Sequence, residues 1–274
     1  MEKILPYLQQ KNISVTNANI IEDAASVQIP VSYEGELKAL QKELGDILYE
    51  DQVDVAVLPM ENRRKMLLIA DMDSTMIEQE CIDELADFAD KKEEVSEITS
   101  RAMRGEMDFE ESLIERVKCL KGIAISDLKR CFNERITFTP GGKEMVRFTR
   151  SHGGYTALVS GGFSYFAQHV AKKLDFHVFR ANELGAQNSI LTGEVHKPIL
   201  DRASKKAALE DYMSSLRIPR ELTLAVGDGA NDIDMIQAAG LGVAFHAKPA
   251  VADAARVAIH FADLRAIKYL QYEL

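Results

Sequence analysis

Apolar residues from position 66 onward form short continuous runs, separated by stretches with helical spacing. The runs are MLLIA (66–70), TALV (156–159), LTLAV (222–226) and LGVAF (241–245). Continuous apolar runs of this length are typical of strands buried on both faces, and helices between them favour parallel strand pairing. The pattern therefore predicts an α/β fold whose core is a doubly wound parallel sheet, similar to a Rossmann fold.

Two segments interrupt the alternation of strands and helices. Residues 78–135 are charged and mainly helical by pattern, with helices predicted at 81–89 and 109–120. A connection of this length predicts a helical cap inserted above the sheet edge. Within residues 176–196, the dipeptide Asn188-Ser189 separates FHVFRANEL from ILTGEV and predicts a β-hairpin.

The first 62 residues have a different pattern and predict a small α+β segment. Short strands are expected at 14–20, 25–31 and 53–58, with a helix at 33–49 that carries leucines on one stripe. The polar stretch MENRRK (60–65) is interpreted as a linker. The expected domains are an N-terminal segment (1–62), a catalytic core (63–77 and 136–274) and the cap (78–135).

Composition narrows the class of protein without identifying it. The chain has 274 residues, 46% of them hydrophobic and 28% charged, which is ordinary for a globular protein. Its net charge of −10 argues against a nucleic-acid or anionic-membrane partner. Three cysteines without zinc-site spacing are expected to be reduced thiols, and neither a signal peptide nor a membrane span is evident. We therefore expect a cytoplasmic protein.

Polar side chains and glycines follow three of the four apolar runs. DMDST follows the first, SGG (160–162) the second and GDGAND (227–232) the third. Because ligand sites in such sheets form beyond the carboxyl ends of the strands, these groups are expected to meet at one edge. Three carboxylates there, Asp71, Asp73 and Asp228, favour a bound Mg²⁺ and phosphoryl transfer, with one aspartate as nucleophile. Alone, each motif is also compatible with a turn or a helix cap.

DMDST, SGG, a later lysine and GDGAND, in this order, resemble the four motifs of the haloacid dehalogenase superfamily of phosphohydrolases. The resemblance extends from residue 66 to about residue 270 and is closest to the family that hydrolyses phosphoserine. It is carried by DMDSTMIEQECIDELA (71–86), FEESLIERVKCLKG (109–122), VSGGF (159–163) and AVGDGANDIDMIQAAGLGVAFHAKP (225–249).

The resemblance implies roles for the residues at the strand ends. Asp71 would be the nucleophile, and Asp73 would be the acid that protonates the leaving oxygen and then the base that activates water. Mg²⁺ would be held by Asp71, the backbone carbonyl of Asp73 and Asp228, with Asp232 acting on the metal indirectly or through water. The residues implied to bind phosphate are Ser160, Gly161, Lys205 and Asn231.

The resemblance also implies that cap residues recognise the substrate. Glu80 would face its ammonium group and Arg116 its α-carboxylate, while Met103 and Phe109 would close over the site. A zwitterionic head group needs an anion and a cation at fixed separation, and arginine can grip a carboxylate with two hydrogen bonds. The implied activity is the last step of serine biosynthesis, hydrolysis of O-phospho-L-serine to L-serine and phosphate through an aspartyl-phosphate.

Two alternatives stay open at this stage. One is a related phosphatase for another small phosphomonoester, such as phosphohomoserine or phosphothreonine. The other is an amino-acid-binding regulatory module without catalysis. The N-terminal segment resembles part of the small regulatory domains of longer family members, and amino-acid sensing, homodimerisation and simple packing on the core are all compatible with its pattern.

Overall fold

The computed structural model describes residues 2–16, 18–21, 26–104 and 106–272, apart from the side chain of Met103. Its strands are β1 (Ser14–Val15), β2 (Asn19–Ile21), β3 (Ser26–Gln28), β4 (Val31–Ser32), β5 (Leu67–Ala70), β6 (Tyr155–Phe163), β7 (Val178–Asn182), β8 (Leu184–Gln187), β9 (Ile190–Val195), β10 (Thr223–Gly227), β11 (Leu241–Phe245) and β12 (Val257–Ile259). Its helices are α1 (Ile4–Gln10), α2 (Leu37–Leu48), α3 (Cys81–Phe88), α4 (Lys92–Met103), α5 (Phe109–Cys119), α6 (Ile125–Arg135), α7 (Gly142–Ser151), α8 (Ser164–Leu174), α9 (Arg202–Leu216), α10 (Ile233–Ala238), α11 (Pro249–Ala254) and α12 (Arg265–Tyr269).

A six-stranded parallel sheet forms the centre of the molecule, in the order β12-β11-β10-β5-β6-β7. The chain builds outward from β5 in one direction through β6 and β7, then returns to the other side of β5 for β10 to β12. The strand order therefore reverses at β5, the kind of position where a crevice opens at the carboxyl edge of an α/β sheet. The predicted doubly wound parallel sheet is confirmed.

Both faces of this sheet are buried, which explains why the strands read as continuous apolar runs. Along β5, Leu68 and Ala70 pack into the larger core cluster, whereas Leu67 and Ile69 pack into a second cluster on the opposite face. Successive side chains of a strand point to opposite faces, so apolar residues are required at every position. No residue of β5 is exposed to solvent.

Helices α3 to α6, which form the predicted cap, lie between β5 and β6 along the chain. The turn between α5 and α6 is joined to the β8–β9 hairpin by backbone hydrogen bonds, in which Gly122 N–H donates to the Leu191 carbonyl and Leu191 N–H donates to the Ile123 carbonyl. The hairpin turn at Asn188 and Ser189 has φ angles of 51° and 62°, as a two-residue type I′ turn requires. The predicted hairpin is therefore present and is tied to the turn between α5 and α6.

Two strand predictions are wrong in detail. Residues 53–58, predicted as a strand because they alternate, run as irregular chain along the core. The stretch FHVFRANEL does not enter the hairpin as one strand. It divides into β7, which joins the edge of the parallel sheet, and the start of β8, which pairs with β9. Tertiary pairing overrides the local pattern in both cases.

The N-terminal segment has its own small apolar cluster, formed by α1, α2 and neighbouring residues, with Leu8, Ile13, Leu40 and Leu44 at its centre. It is attached to the core through Asp54. That carboxylate accepts backbone N–H groups from His260, Phe261 and Ala262, just beyond β12, at 2.8, 3.1 and 2.9 Å. Within the ranges given above, no helix combines the length and apolarity needed to cross a bilayer.

Candidate active site

The sheet register brings the first and fourth motifs, DMDST and GDGAND, together. Ala70 pairs with Val226, so Asp71 and Gly227 lie at the same level where their strands end. Asp71 N–H donates to the Val226 carbonyl at 3.0 Å. On the other side of β5, Ala70 pairs with Leu158, which places Ser160 at the same edge. The predicted gathering of these groups therefore follows directly from parallel pairing.

Lys205 is the buried cation of this edge. Its Nζ lies 2.7 Å from Asp71 Oδ1 and 2.7 Å from Asp232 Oδ1, and the residue is only 1% exposed. Burial alone would lower the pKa of Lys205, but the two carboxylates outweigh it and raise the pKa overall. The ammonium group is therefore fixed in its charged form beside Asp71. The neighbouring Lys206 is exposed and pairs with Glu210 instead.

Three carboxylates converge beside Lys205. Oxygen atoms of Asp71, Asp228 and Asp232 all lie within 4.8 Å of one another. Burial, followed by the charge of Asp232, raises the pKa of Asp71 well above its usual range, and burial raises that of Asp228 to about 6. One lysine does not balance three carboxylates. Closely spaced hard oxygen donors with two uncompensated negative charges suit a divalent cation, so the residues present fit a metal site.

Asp73 is held by different partners from those of Asp71. Its Oδ1 accepts the Cys81 backbone N–H at 2.9 Å, at the amino end of α3, and its Oδ2 accepts the Ser160 hydroxyl at 3.3 Å. Burial and the nearby charge of Glu80 raise the pKa of Asp73 to about 7. The two aspartates of the first motif are thus differentiated: one lies against a lysine, while the other can carry a proton near neutral pH.

Ser74 and Thr75 support the site through their hydroxyl groups. Thr75 donates to Asp228 Oδ1 at 2.9 Å, which links the first motif to the fourth. Ser74 has a φ of 55° and donates to Glu80 Oε1 at 2.7 Å. Since this left-handed backbone conformation is unfavourable for most residues, it marks a turn held by its surroundings.

The glycines after β6 allow a close approach of the chain to Asp73. A β-carbon at position 162 would lie 2.5 Å from Asp73 Oδ2, so a side chain there would displace the carboxylate. Ser160 Oγ also accepts the Gly162 N–H at 2.8 Å, which fixes the turn. Asn231 lies in the short helical turn Ala230–Asp232 on the other side of the site.

The predicted substrate-binding residues of the cap differ in their exposure and in their contacts. Phe109, 38% exposed, reaches over Gly161, since a β-carbon there would lie 3.3 Å from its ring. Arg116 is half-buried, donates to the Ser112 carbonyl, and has its pKa lowered by burial. Glu80 is exposed at the start of α3. Met103 ends α4, but its side chain lies outside the described part of the chain.

Asn182 is a site-supporting residue that sequence reasoning missed. It is 1% exposed at the end of β7, and its Nδ2 donates to the carbonyls of Gly161 at 2.8 Å and Leu200 at 3.3 Å. Its Oδ1 accepts the Leu200 N–H at 2.7 Å. Asn182 thereby joins the glycine turn to the loop that leads to Lys205. The carboxyl-end rule would have found it if β7 had been recognised as a strand of the main sheet.

Comparison with known proteins agrees with this geometry. The family model described as haloacid dehalogenase-like hydrolase matches residues 68–237. A HAD family hydrolase from Salmonella enterica serovar Typhi superposes with a TM-score of 0.89 at 27% identity, covering 98% of this chain and 94% of that one. The chain belongs to the haloacid dehalogenase-like hydrolases.

The relatives with higher sequence identity share a more specific name. The phosphoserine phosphatase of Idiomarina loihiensis is 48% identical over 185 residues, which are 68% of this chain and 84% of that protein. A substrate-bound phosphoserine phosphatase structure is 40% identical, with a TM-score of 0.69, over 75% of this chain and 98% of that one. Some other curated phosphoserine phosphatases are longer, and the match spans 57 or 59% of their length.

Proposed function

We propose that this protein is an Mg²⁺-dependent phosphoserine phosphatase that releases L-serine and phosphate. The observation that carries the proposal is the arrangement of one buried lysine, three clustered carboxylates and a separately held, protonatable Asp73 at a single sheet edge. Relatives that carry this name match most of the same region of the chain. A serine-biosynthetic role, a cytoplasmic location and a homodimeric state stay predictions.

In the proposed reaction, a carboxylate oxygen of Asp71 attacks phosphorus and the bond from phosphorus to the serine oxygen breaks. Asp73 donates its proton to the leaving oxygen, and an aspartyl-phosphate remains on Asp71. A water molecule then attacks phosphorus while Asp73 takes its proton, and phosphate leaves with Asp71 regenerated. A pKa of about 7 suits Asp73 for giving a proton in one step and accepting one in the next.

The surrounding residues have positioning roles in this proposal. Lys205, Ser160, the amides around Gly161 and Asn231 hold the phosphate oxygens. Asp71, Asp228 and the Asp73 carbonyl would hold Mg²⁺, which would neutralise charge between the nucleophile and the phosphate. Asp232 keeps Lys205 in place through its own ion pair and thereby acts beside the metal.

The cap distinguishes the substrate in this proposal. Arg116 has no carboxylate within 4.0 Å among the described residues. Its guanidinium group can therefore bind the α-carboxylate of an amino-acid substrate. Glu80 is the matching anion for the ammonium group, and Phe109 covers the glycine turn. Residues 78–135 then act as the lid, with residues 63–77 and 136–274 as the catalytic unit and residues 1–62 as an attached segment.

The test is phosphate release from O-phospho-L-serine, with Mg²⁺ and with chelator, beside phosphothreonine, phosphohomoserine and an aryl phosphate. We expect metal-dependent turnover with the highest kcat/KM for phosphoserine. A higher kcat/KM for another phosphomonoester would replace the substrate assignment. If none of these substrates is hydrolysed, the protein is a binding module and the proposal fails.

A further inference from the structure

A cavity lies at the opposite edge of the sheet from the candidate active site. It has a volume of about 240 Å³ and is bounded by chain segments from two sides. One side is residues 58–65, which lead from the N-terminal segment into β5. The other consists of residues just before β10, β11 and β12, together with Leu270. The cavity therefore lies between residues 58–65 and the amino ends of β10, β11 and β12.

Four cationic side chains line this cavity: Arg63, Lys65, Arg220 and Arg256. Each donates to backbone carbonyl groups, and within the described ranges none has a carboxylate within 4.0 Å. Within the part of the chain that the structure describes, the acidic side chains in the lining are Glu61 and Glu221, and both are exposed. Among the described residues, the lining thus has an excess of two positive charges, and its inner cations have no carboxylate partner within 4.0 Å.

The buried positive charges in the cavity are not balanced by negative charges of the described residues around them. Burial, followed by repulsion from Arg63, lowers the pKa of Lys65 to about 8. Burial also lowers the pKa of Arg63 and that of Arg256. In addition, Arg256 Nη1 is buried and lacks an acceptor among the described residues. A buried donor without a partner costs free energy, which a bound acceptor would recover.

We propose that this cavity binds a small doubly charged oxyanion. Its volume is below the roughly 300 to 1,000 Å³ of sites for drug-sized ligands, so the ligand has few atoms. An excess of two positive charges from guanidinium and ammonium groups matches a phosphate-type or dicarboxylate ion. Because Arg63 and Lys65 precede β5 while Arg220 and Arg256 precede β10 and β12, the bound anion joins these parts of the chain and strengthens their contact.

The experiment is isothermal titration of sulfate into the metal-free protein and four variants. We expect Arg256→Gln and Arg63→Gln each to weaken binding at least tenfold and to leave phosphoserine turnover unchanged. The matched control is Lys173→Gln, which removes an exposed charge on α8 and should bind sulfate like wild type. Thermal unfolding of each variant checks the fold, and two independent arginine positions guard against one variant misfolding. Equal sulfate binding in all of these proteins overturns the proposal.

The fourth variant tests whether the chain itself fills the cavity. Residues 273 and 274 lie outside the described part of the chain, and one of them is the acidic Glu273. Deletion of both residues should leave sulfate affinity unchanged. If only the shortened chain binds sulfate, the occupant is the end of the chain and the proposal is wrong. Parallel titrations with inorganic phosphate and succinate distinguish a phosphate-type ligand from a dicarboxylate.

Discussion

Lys205 Nζ lies 2.7 Å from Asp71 Oδ1, and both side chains are almost fully buried. This ion pair connects α9 to the end of β5, the position of the proposed nucleophile. Removing one partner of a buried pair leaves the other charge uncompensated, which typically costs about 3 to 5 kcal/mol. The pair therefore has consequences for both stability and activity.

Lys205→Met should lower the free energy of unfolding by several kcal/mol and abolish turnover. The matched control is Lys206→Met, one residue further along α9, which removes only an exposed pair with Glu210 at 3.6 Å. That change should cost less than about 1 kcal/mol. Urea unfolding and phosphoserine kinetics of the two variants provide the comparison. Equal effects at both positions would refute the assignment of Lys205.

Asp71→Asn should abolish turnover and leave the fold intact. The amide cannot attack phosphorus. It removes the burial cost of the charge and the repulsion from Asp232, which together raise the pKa of Asp71, while Lys205 keeps its ion pair with Asp232. We therefore expect a melting temperature equal to or above that of wild type. Asp46→Asn, on the exposed face of α2, is the control for loss of one charge. Mass spectrometry must exclude deamidation to aspartate, and turnover by the intact asparagine variant would disprove the nucleophile assignment.

Asn182→Ala should reduce kcat/KM for phosphoserine about tenfold, because losing this buried group leaves backbone polar atoms unpaired at a cost of about 1 to 3 kcal/mol. Asn182→Asp separates the two contacts, since it keeps the acceptor for Leu200 N–H but loses the donor to the Gly161 carbonyl. If the Gly161 contact positions the phosphate, the aspartate variant should also show weaker inhibition by inorganic phosphate. Inhibition like that of wild type in both variants would limit Asn182 to a structural role.

Arg116→Ala should lower kcat/KM for phosphoserine far more than for an aryl phosphate. The reason is that only the amino acid has a carboxylate for the unpaired guanidinium to bind. Arg130→Ala, which removes an exposed arginine on α6, should affect neither substrate. Steady-state kinetics with phosphoserine and the aryl phosphate measures the loss of kcat/KM for each substrate. An equal loss for phosphoserine and the aryl phosphate would mean that Arg116 does not recognise the carboxylate.

The gain in thermal stability of the protein on adding Mg²⁺ should be larger at pH 7.5 than at pH 5. Burial raises the pKa of Asp228 to about 6 from a usual value near 4, so between these values the folded state binds more protons than the unfolded state. Stability of the metal-free protein therefore falls as pH rises through this range. Metal binding needs the deprotonated carboxylates, so Mg²⁺ compensates most at the higher pH.

Thermal unfolding with Mg²⁺ and with chelator at the two pH values measures this effect. Asp228→Asn should largely remove the gain at pH 7.5. A gain that is the same at both pH values, or larger at pH 5, would contradict metal binding among these carboxylates.

Sequence reasoning succeeded where one local signal was enough. The runs 66–70 and 222–226 predicted strands because strands buried on both faces must be apolar throughout, and the residues after them located the site edge. It failed where pairing between distant segments decides the structure. Residues 53–58 alternate like a strand but pair with no strand among the described residues, and residues 178–182 join the main sheet instead of the hairpin.

The sequence by itself determined the class of fold and the chemical groups of the site, since parallel pairing of apolar runs leaves few places where Asp71, Ser160 and Asp228 can lie. The tertiary structure alone decided how these groups differ. Lys205 approaches Asp71 from a helix more than a hundred residues away, and the Cys81 N–H at the start of α3 holds Asp73. Burial and charge at such contacts set which aspartate carries a proton, and neither can be read from positions along a chain.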